Sequence, residues 1–468
     1  MRSSNRKALA WVAVLSLVMA ACAQEAETTT TAAPATTVTT AAPTPDTTEA
    51  TPDTTMPDMT IATDIGVTEE PCPGGNPDRG CIYLGVLTDE SGPFQAAAPA
   101  LYGGQQLFWA TVNAGDGIGG AYDVALPEEL KKDTAYQPDK FVADYNQIAG
   151  EVAAVAQSLG TSQSIAAMAD YERDHTVAAP MSWWSGWSFE DNIIEFGTNY
   201  CFEAMNAIDW AAGAFPAQSR ELTTIGILAI PNDYGADYSA GVKLAAEANG
   251  IEIAWEQAVI PASAGGDATQ TEAVAKIVGD PTDLVILVVG PSETAAIVGG
   301  AAAQMGATVP LFIGAAPSWN SALLASPAAP AFQAGIFFQS SFVPGWDTDS
   351  VGHGKMRAAV DSIGQPPNDF WISGWVSQYG LKAALEGAYA AGDLTKAGIE
   401  AAAWSLETVD YEGMMPERSF AGDANDITPR EAVIGAYSAD ASTGIATIQE
   451  FFVGPTASAY EFTAACGG

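Results

Sequence analysis

Basic residues are scarce in this chain of 468 residues: 17 lysines and arginines stand against 56 aspartates and glutamates, a formal net charge of −39. A field of that sign repels phosphate backbones and anionic head groups, so nucleic acid is not an expected partner. Histidine is scarcer still, with only His175 and His353. A serine–histidine hydrolase would have to use one of the two, yet the chain carries no Gly-x-Ser-x-Gly elbow and no His-Glu-x-x-His pair. His175 ends a predicted helix after Arg173-Asp174, where an imidazolium suits the helix dipole, and His353 falls in Gly352-His353-Gly354, read as a flexible loop. Paired carboxylates are too common among 56 acids to signal anything by spacing, and no enzyme is expected. Cysteine is limited to five residues without zinc-type spacing, so neither a metal nor another cofactor is expected. Beyond the N-terminal stretch, no apolar run is long enough to span a bilayer.

What is present begins with an address. Arg2, Arg6 and Lys7 precede the apolar run Ala8 to Val18, and Met19-Ala20-Ala21-Cys22 follows. This reads as a secretory signal over residues 1–21 with a bacterial lipobox, in which Cys22 becomes the lipidated first residue. Residues 22–80 begin as a Thr, Ala and Pro mixture that buries too little apolar surface to fold, and are expected to form a disordered tether. The body is then extracytoplasmic and held to the membrane through Cys22. Cys72, Cys81, Cys201 and Cys466 remain, enough for two disulfides with three possible pairings. Cys72 with Cys81, closing a Pro/Gly-rich loop, and Cys201 with Cys466 is the pairing preferred.

The body alternates strand and helix patterns. Ile82 to Leu87 reads as a strand, and a helix through Leu107 and Trp109 follows. Gly115-Asp116-Gly117-Ile118-Gly119-Gly120 has the spacing of a dinucleotide fingerprint, but it closes a helix and precedes a strand, so it is read as a C-cap and turn. Tyr122 to Leu126 is a strand, Lys132 to Tyr136 a loop, and Phe141, Tyr145 and Ile148 share one helix face. Val152 to Ala156 and Val177 to Met181 are strands flanking a short helix, and their polar loops emerge at one carboxyl edge, where open α/β sheets bind ligands. The pattern restarts at Ile225 to Ile230 and runs through Leu311 to Gly314. Two such sets predict two doubly wound parallel-sheet lobes.

Six segments in order carry a resemblance: Gly85-Val86-Leu87-Thr88 with Ser91-Gly92-Pro93-Phe94; Asn113-Ala114-Gly115 with Gly117 to Gly120; Asp133 to Pro138; Leu159-Gly160-Thr161-Ser162; Asn232-Asp233-Tyr234-Gly235; and Gly374 to Tyr379. Together they resemble the type I periplasmic binding proteins of the leucine/isoleucine/valine-binding family, the substrate-binding lipoproteins of ABC importers. The resemblance implies an α/β fold with two lobes joined by three crossover segments and hinge closure on a ligand in the interlobe cleft. Lobe one would be 81–203 plus 338–416 and lobe two 204–337 plus 421–453, leaving 454–468 as a C-terminal tail. It also implies a monomer whose partners are a small-molecule ligand and an ABC permease with its ATPase.

Carried over to this chain, the resemblance places Thr161, Ser162, Ser182 and Ser185 on a ligand carboxylate. Phe94 covers the ligand, and Tyr234 closes from lobe two. In amino-acid binders of this family an acid after the strand read here as Leu311 to Gly314 takes the ligand's ammonium, but this chain has Ala315-Ala316-Pro317-Ser318-Trp319 there. Glu293 is the acid that could reach the cleft instead. Trp183, Trp184 and Trp319 are expected to line an aromatic pocket for an amino acid, an amide or an amine-free acid. The alternatives carried beside a transport role are a ligand-sensing lipoprotein and, more distantly, an extracytoplasmic hydrolase.

Overall fold

The computed structural model describes residues 60–217 and 219–467, which fall in one compact unit. The signal segment, Cys22 and the tether up to residue 59 lie outside the described residues. The first half comprises β1 (Ala62–Thr63), β2 (Val67–Thr68), β3 (Gly80–Thr88), α1 (Ala98–Ala114), β4 (Tyr122–Ala125), β5 (Lys131–Asp133), α2 (Pro138–Ile148), β6 (Ala154–Leu159), α3 (Thr161–Asp174) and β7 (Ala178–Met181). Next come α4 (Tyr200–Ala217), β8 (Thr224–Ala229), α5 (Asp233–Asn249), β9 (Glu252–Ala258), α6 (Asp267–Gly279), β10 (Leu284–Val288), α7 (Pro291–Met305), β11 (Leu311–Gly314), α8 (Ala329–Gln333) and β12 (Phe337–Ser341). The chain ends with α9 (Val351–Ser362), α10 (Asp369–Val376), α11 (Gln378–Ala390), β13 (Asp393–Leu394), α12 (Lys396–Trp404), α13 (Ala424–Ile427), β14 (Ala432–Tyr437), β15 (Ile445–Phe452) and α14 (Pro455–Ala459).

Two sheets result. In the first, β4 and β5 pair in parallel with one edge of β3 while β6 and then β7 follow on the other. The second runs β15-β14-β12-β11-β10-β8-β9, parallel from β9 to β12 and closed by the antiparallel β14 and β15. β6, β7 and β10 are buried throughout, as strands covered by helices on both faces must be. Strand order reverses beside β3 in one sheet and beside β8 in the other, and such switch points leave a crevice at the strands' carboxyl ends. Phe94 lies in the loop after β3, and Thr161 and Tyr234 stand in the first turns of α3 and α5, which follow β6 and β8.

Several sequence boundaries move. Residues 60–80 are ordered rather than part of a disordered tether: β1 pairs with β13, β2 with β3, and Val67 and Cys72 are buried. A Cys72–Cys81 disulfide closes this segment, and a Cys201–Cys466 disulfide holds the C-terminal segment. That segment is no free tail, since α14 packs on α4 and Phe462 is buried beside Phe202. β12 pairs with β11 and β14, so its residues up to Ser341 belong to the second sheet rather than to lobe one from 338. Lys131 to Asp133, read partly as loop, extends the first sheet because β3 is long enough to pair with β4 and β5 in succession. His353 is buried inside α9 instead of lying in a flexible loop.

Candidate functional site

A cavity lies where the carboxyl edges of the two sheets face each other, with about 510 Å³ of empty space, its mouth included. One wall comes from the first sheet. Asp89, buried at the end of β3, accepts the backbone N–H groups of Gly92 and Phe94, the latter at 2.8 Å, and this fixes the loop so that Phe94 lines the cavity. Tyr136 meets the Phe94 ring at 5.2 Å. It does so because Ala135 and Tyr136 adopt left-handed conformations (φ 51° and 56°), with the Ala135 N–H held by Asp133.

The head of α3 forms the polar end. Leu159 and Gly160 line the cavity, and Gly160 has φ +101°, a conformation reserved for glycine. The N-cap residue supplies no side-chain cap to the first turn, so its N–H groups keep their donor capacity, while the carboxylate of Asp233, bonded to Ser162, stands at the same helix end. Thr161 is fully buried and its Oγ1 has no hydrogen-bond partner. A buried hydroxyl left so costs about 1–3 kcal/mol unless a ligand supplies the bond.

The remaining lining is aromatic and aliphatic. Trp183 stacks on Phe342 with centroids 4.0 Å apart, and its indole N–H is directed away to the Phe196 carbonyl, leaving its face for packing. Tyr200, whose N–H donates to the Trp183 carbonyl, meets Tyr234 at 4.6 Å. Leu101, Met181, Pro317 and Phe370 complete the apolar surface. Burial raises both tyrosine hydroxyls well above their ordinary range, so they stay neutral.

Of the residues expected at the site, Phe94, Ser182, Trp183 and Tyr234 line the cavity, and Thr161 follows the lining Gly160. The others lie elsewhere. Ser162 donates its hydroxyl to Asp233 at the start of α5, 2.5 Å away, and so clasps one lobe to the other. Ser185 donates its N–H (2.9 Å) and its hydroxyl to Asp237, while its Oγ accepts the Cys466 N–H. Glu293 accepts the Ala262 N–H and the Ser292 hydroxyl within the second lobe. Trp319 packs between Phe332 and Phe337, and Trp184 lies against Trp187. His175 pairs with Glu400, and His353 shares a 2.8 Å bond with Ser350, the residue that caps α9. Burial holds His353 neutral with its pKa lowered to about 4.

Tyr136, Met181, Tyr200, Phe342 and Phe370 line the cavity without having been singled out. Tyr136 and Met181 sit at strand ends on the carboxyl edge, a signal available in sequence. Phe342 and Phe370 arrive from segments far along the chain and had none. Glu203 is the other addition: from the first turns of α4 it reaches the Ala315-Ala316 loop, where its Oε1 accepts the Ala316 N–H at 2.8 Å and its buried Oε2 accepts nothing. Among the described residues no group of His, Cys, Asp and Glu has the arrangement of a metal site, and no helix is long and apolar enough to cross a membrane.

Residues 81–439 match the family model described as periplasmic binding protein. Solved structures share the fold. A fatty acid ABC transporter substrate-binding protein from Thermomonospora curvata is 24% identical with a TM-score of 0.76, covering 86% of this chain and 98% of that one. A branched chain amino acid ABC transporter protein from Thermus thermophilus with bound valine is 14% identical (TM-score 0.67; 81% and 98% covered). A branched-chain amino acid transporter substrate-binding protein from Streptococcus pneumoniae in complex with isoleucine is 17% identical (TM-score 0.61; 79% and 99%). A search of curated proteins gave no match.

Proposed function

Because the chain belongs to the periplasmic binding proteins, we propose that it captures a small carboxylate with an apolar body and delivers it to an ABC permease and its ATPase. The observation that carries this reading is the unpartnered, fully buried Thr161 hydroxyl at the uncapped head of α3, beside an otherwise aromatic cavity. Helix N–H groups and hydroxyls can replace the water around a carboxylate without a cation. The Ser182 hydroxyl stands on the same wall. Phe94, Tyr136, Trp183 and Tyr234 then bury the apolar body.

No carboxylate lines the cavity to receive an α-ammonium, so an amine-free branched, aromatic or linear acid fits ahead of an α-amino acid. Relatives of the fold bind both kinds, since the structures named above include a fatty-acid and two branched-chain amino acid transport proteins. Both classes share the carboxylate. In the cycle that follows from the fold, the ligand docks on the first lobe at Thr161, and closure brings Tyr234 over it. Cys22 would carry the lipid that keeps the body at the outer face of the membrane.

Calorimetry on the chain with isovalerate, phenylacetate, caproate, valine and isoleucine tests this. Amine-free acids should bind more tightly than the amino acids, and Thr161→Val should weaken them about tenfold or more while leaving the fold intact, the loss of a charge-assisted hydrogen bond. Binding of amides or sugars with no carboxylate bound at all would overturn the reading.

A further inference from the structure

Beside the ligand cavity lies a second chamber, and the two share Ala316, Phe342, Phe370 and Ser373 in their walls. It holds about 560 Å³ of empty space, its mouth included. What sets it apart is a pair of acceptors with nothing to accept. Asp369, at the start of α10, takes the Thr443 hydroxyl on Oδ1 at 2.9 Å, whereas its Oδ2 is buried without a hydrogen bond. Gln339 is only 6% exposed and directs its amide N–H groups to the carbonyls of Ala315, Ala316 and Ser340, leaving its Oε1 buried and unpartnered.

The indole N–H of Trp319 lies on the side of Asp369 that favours its anion without closing a hydrogen bond. No lysine, arginine or histidine lines the chamber. Burial outweighs the pull of Thr443, Trp319 and the Trp346 backbone N–H and raises Asp369 to about 7. Two buried acceptors on one chamber wall would each cost about 1–3 kcal/mol unless a donor enters. Neither oxygen closes a hydrogen bond among the described residues, so a donor on the ligand would complete both.

We propose that this chamber is the distal subsite of the ligand cavity, and that the captured molecule is a linear carboxylate whose far end carries a hydrogen-bond donor, an ammonium or a hydroxyl. The inference rests on the reading that the carboxylate docks at Thr161. From there the chain of the ligand passes the shared wall at Phe342 and Phe370, and its terminal donor meets Asp369 Oδ2 and Gln339 Oε1. The aromatic wall serves the methylene run, and the two acceptors set the length and the end group.

The test is calorimetry with butyrate, caproate and caprylate, each compared with its ω-hydroxy and ω-amino derivative. At one of these lengths the donor-terminated acid should bind about tenfold or more tightly than the plain acid, the worth of a hydrogen bond to a buried carboxylate or amide acceptor. In Asp369→Asn the ratio between the ω-amino and the plain acid should fall towards one. Plain acids that bind as tightly as their derivatives at every length would overturn the distal subsite while leaving the carboxylate reading in place. A ratio unchanged in Asp369→Asn would remove Asp369 from it. Failure of every acid, plain or substituted, would overturn the carboxylate reading itself and this inference with it. The comparison in the unaltered chain needs no variant to fold.

Discussion

Glu203 Oε1 accepts the Ala316 N–H at 2.8 Å, so the loop that contains no acid of its own rests on one brought by the helix that leaves the first lobe. The same oxygen takes the Ser340 hydroxyl at 2.5 Å. Glu203 thus ties α4 to the ends of β11 and β12, next to Tyr200 and Tyr234 on the cavity wall.

Burial raises the Glu203 pKa to about 7 from an ordinary 4.5, against the pull of Ser340 and Ala316. The native state therefore holds a proton that the unfolded chain has released, and stability falls as pH rises between those values. Glu203→Gln keeps the acceptor and removes the ionisation. Relative to the unaltered chain, the variant should gain stability from about pH 5 to about pH 8, by an amount of order 3 kcal/mol at most. Denaturant titrations at both pH values read this directly, and a variant less stable by the same margin at both would refute it.

Burial also raises Asp237 to about 6 and Asp369 to about 7, both with the same sign. His353, lowered to about 4, works in the opposite direction, because the unfolded chain gains a proton there first as pH falls. Three carboxylates outweigh one imidazole, and protonation also relieves part of the −39 charge. The melting temperature should rise as pH drops from about 8 towards about 5. Below about 4 it should collapse, when Asp133, Asp174 and Asp283, all held below their ordinary values by hydrogen bonds, take up protons. A melting temperature that falls steadily from pH 8 downward would contradict this balance.

The Ser162–Asp233 bond spans the cleft between α3 and α5. Ser162→Ala and Asp233→Ala should each weaken ligand binding by roughly threefold to tenfold, and the double variant should be no worse than either alone. The effect should appear in the dissociation rate, because the bond forms only when the lobes are closed. Additive losses would mean that the two residues act separately.

Gly160 has no room for a side chain. A Cβ there would lie 2.2 Å from Gln163 Oε1 and 2.7 Å from the Tyr136 ring, on a backbone at φ +101°. Gly160→Ala should cost about 1–3 kcal/mol of stability and displace Tyr136 from Phe94, with loss of ligand binding beyond what the stability change explains. Thermal melts and calorimetry on the same preparation separate the two effects.

The Cys201–Cys466 disulfide joins positions 265 residues apart and sets the N–H groups of Cys466 and Gly467 on Ser185 Oγ and Asp237 Oδ1. Replacing both cysteines by serine should lower stability by about 2–5 kcal/mol. The Cys72–Cys81 pair closes a loop of sequence separation 9, and its removal should cost less. Denaturant titrations of the two double variants rank them.

Local order was legible because it is written locally. Apolar periodicity located the strands read as Ile82 to Leu87, Val152 to Ala156, Val177 to Met181 and Ile225 to Ile230, of which the second runs on to Leu159. The carboxyl-edge rule put the loops of Thr161, Ser182 and Trp183 together, and the family resemblance added Phe94 and Tyr234. Ser162 and Ser185 share the chemistry of their neighbours in sequence, and only the position of α5 shows that Asp233 and Asp237 claim them. Trp319 reads as a residue of the ligand cavity, and the structure places it instead against Phe332 and Phe337 in the wall of the second chamber.

The sequence by itself determined the alternation of elements, the two parallel-sheet lobes, the sheet edge at which the cavity opens and the scarcity of cations, because periodicity, turn chemistry and charge act over a few residues. Only the tertiary structure decided what comes together across long separations: Glu203 meets Ala316, Trp183 meets Phe342, and Asp369 and Gln339 line one second chamber. Those juxtapositions come from how helices and crossovers pack, which is a matter of volume and burial summed over the whole core, and no local pattern records it.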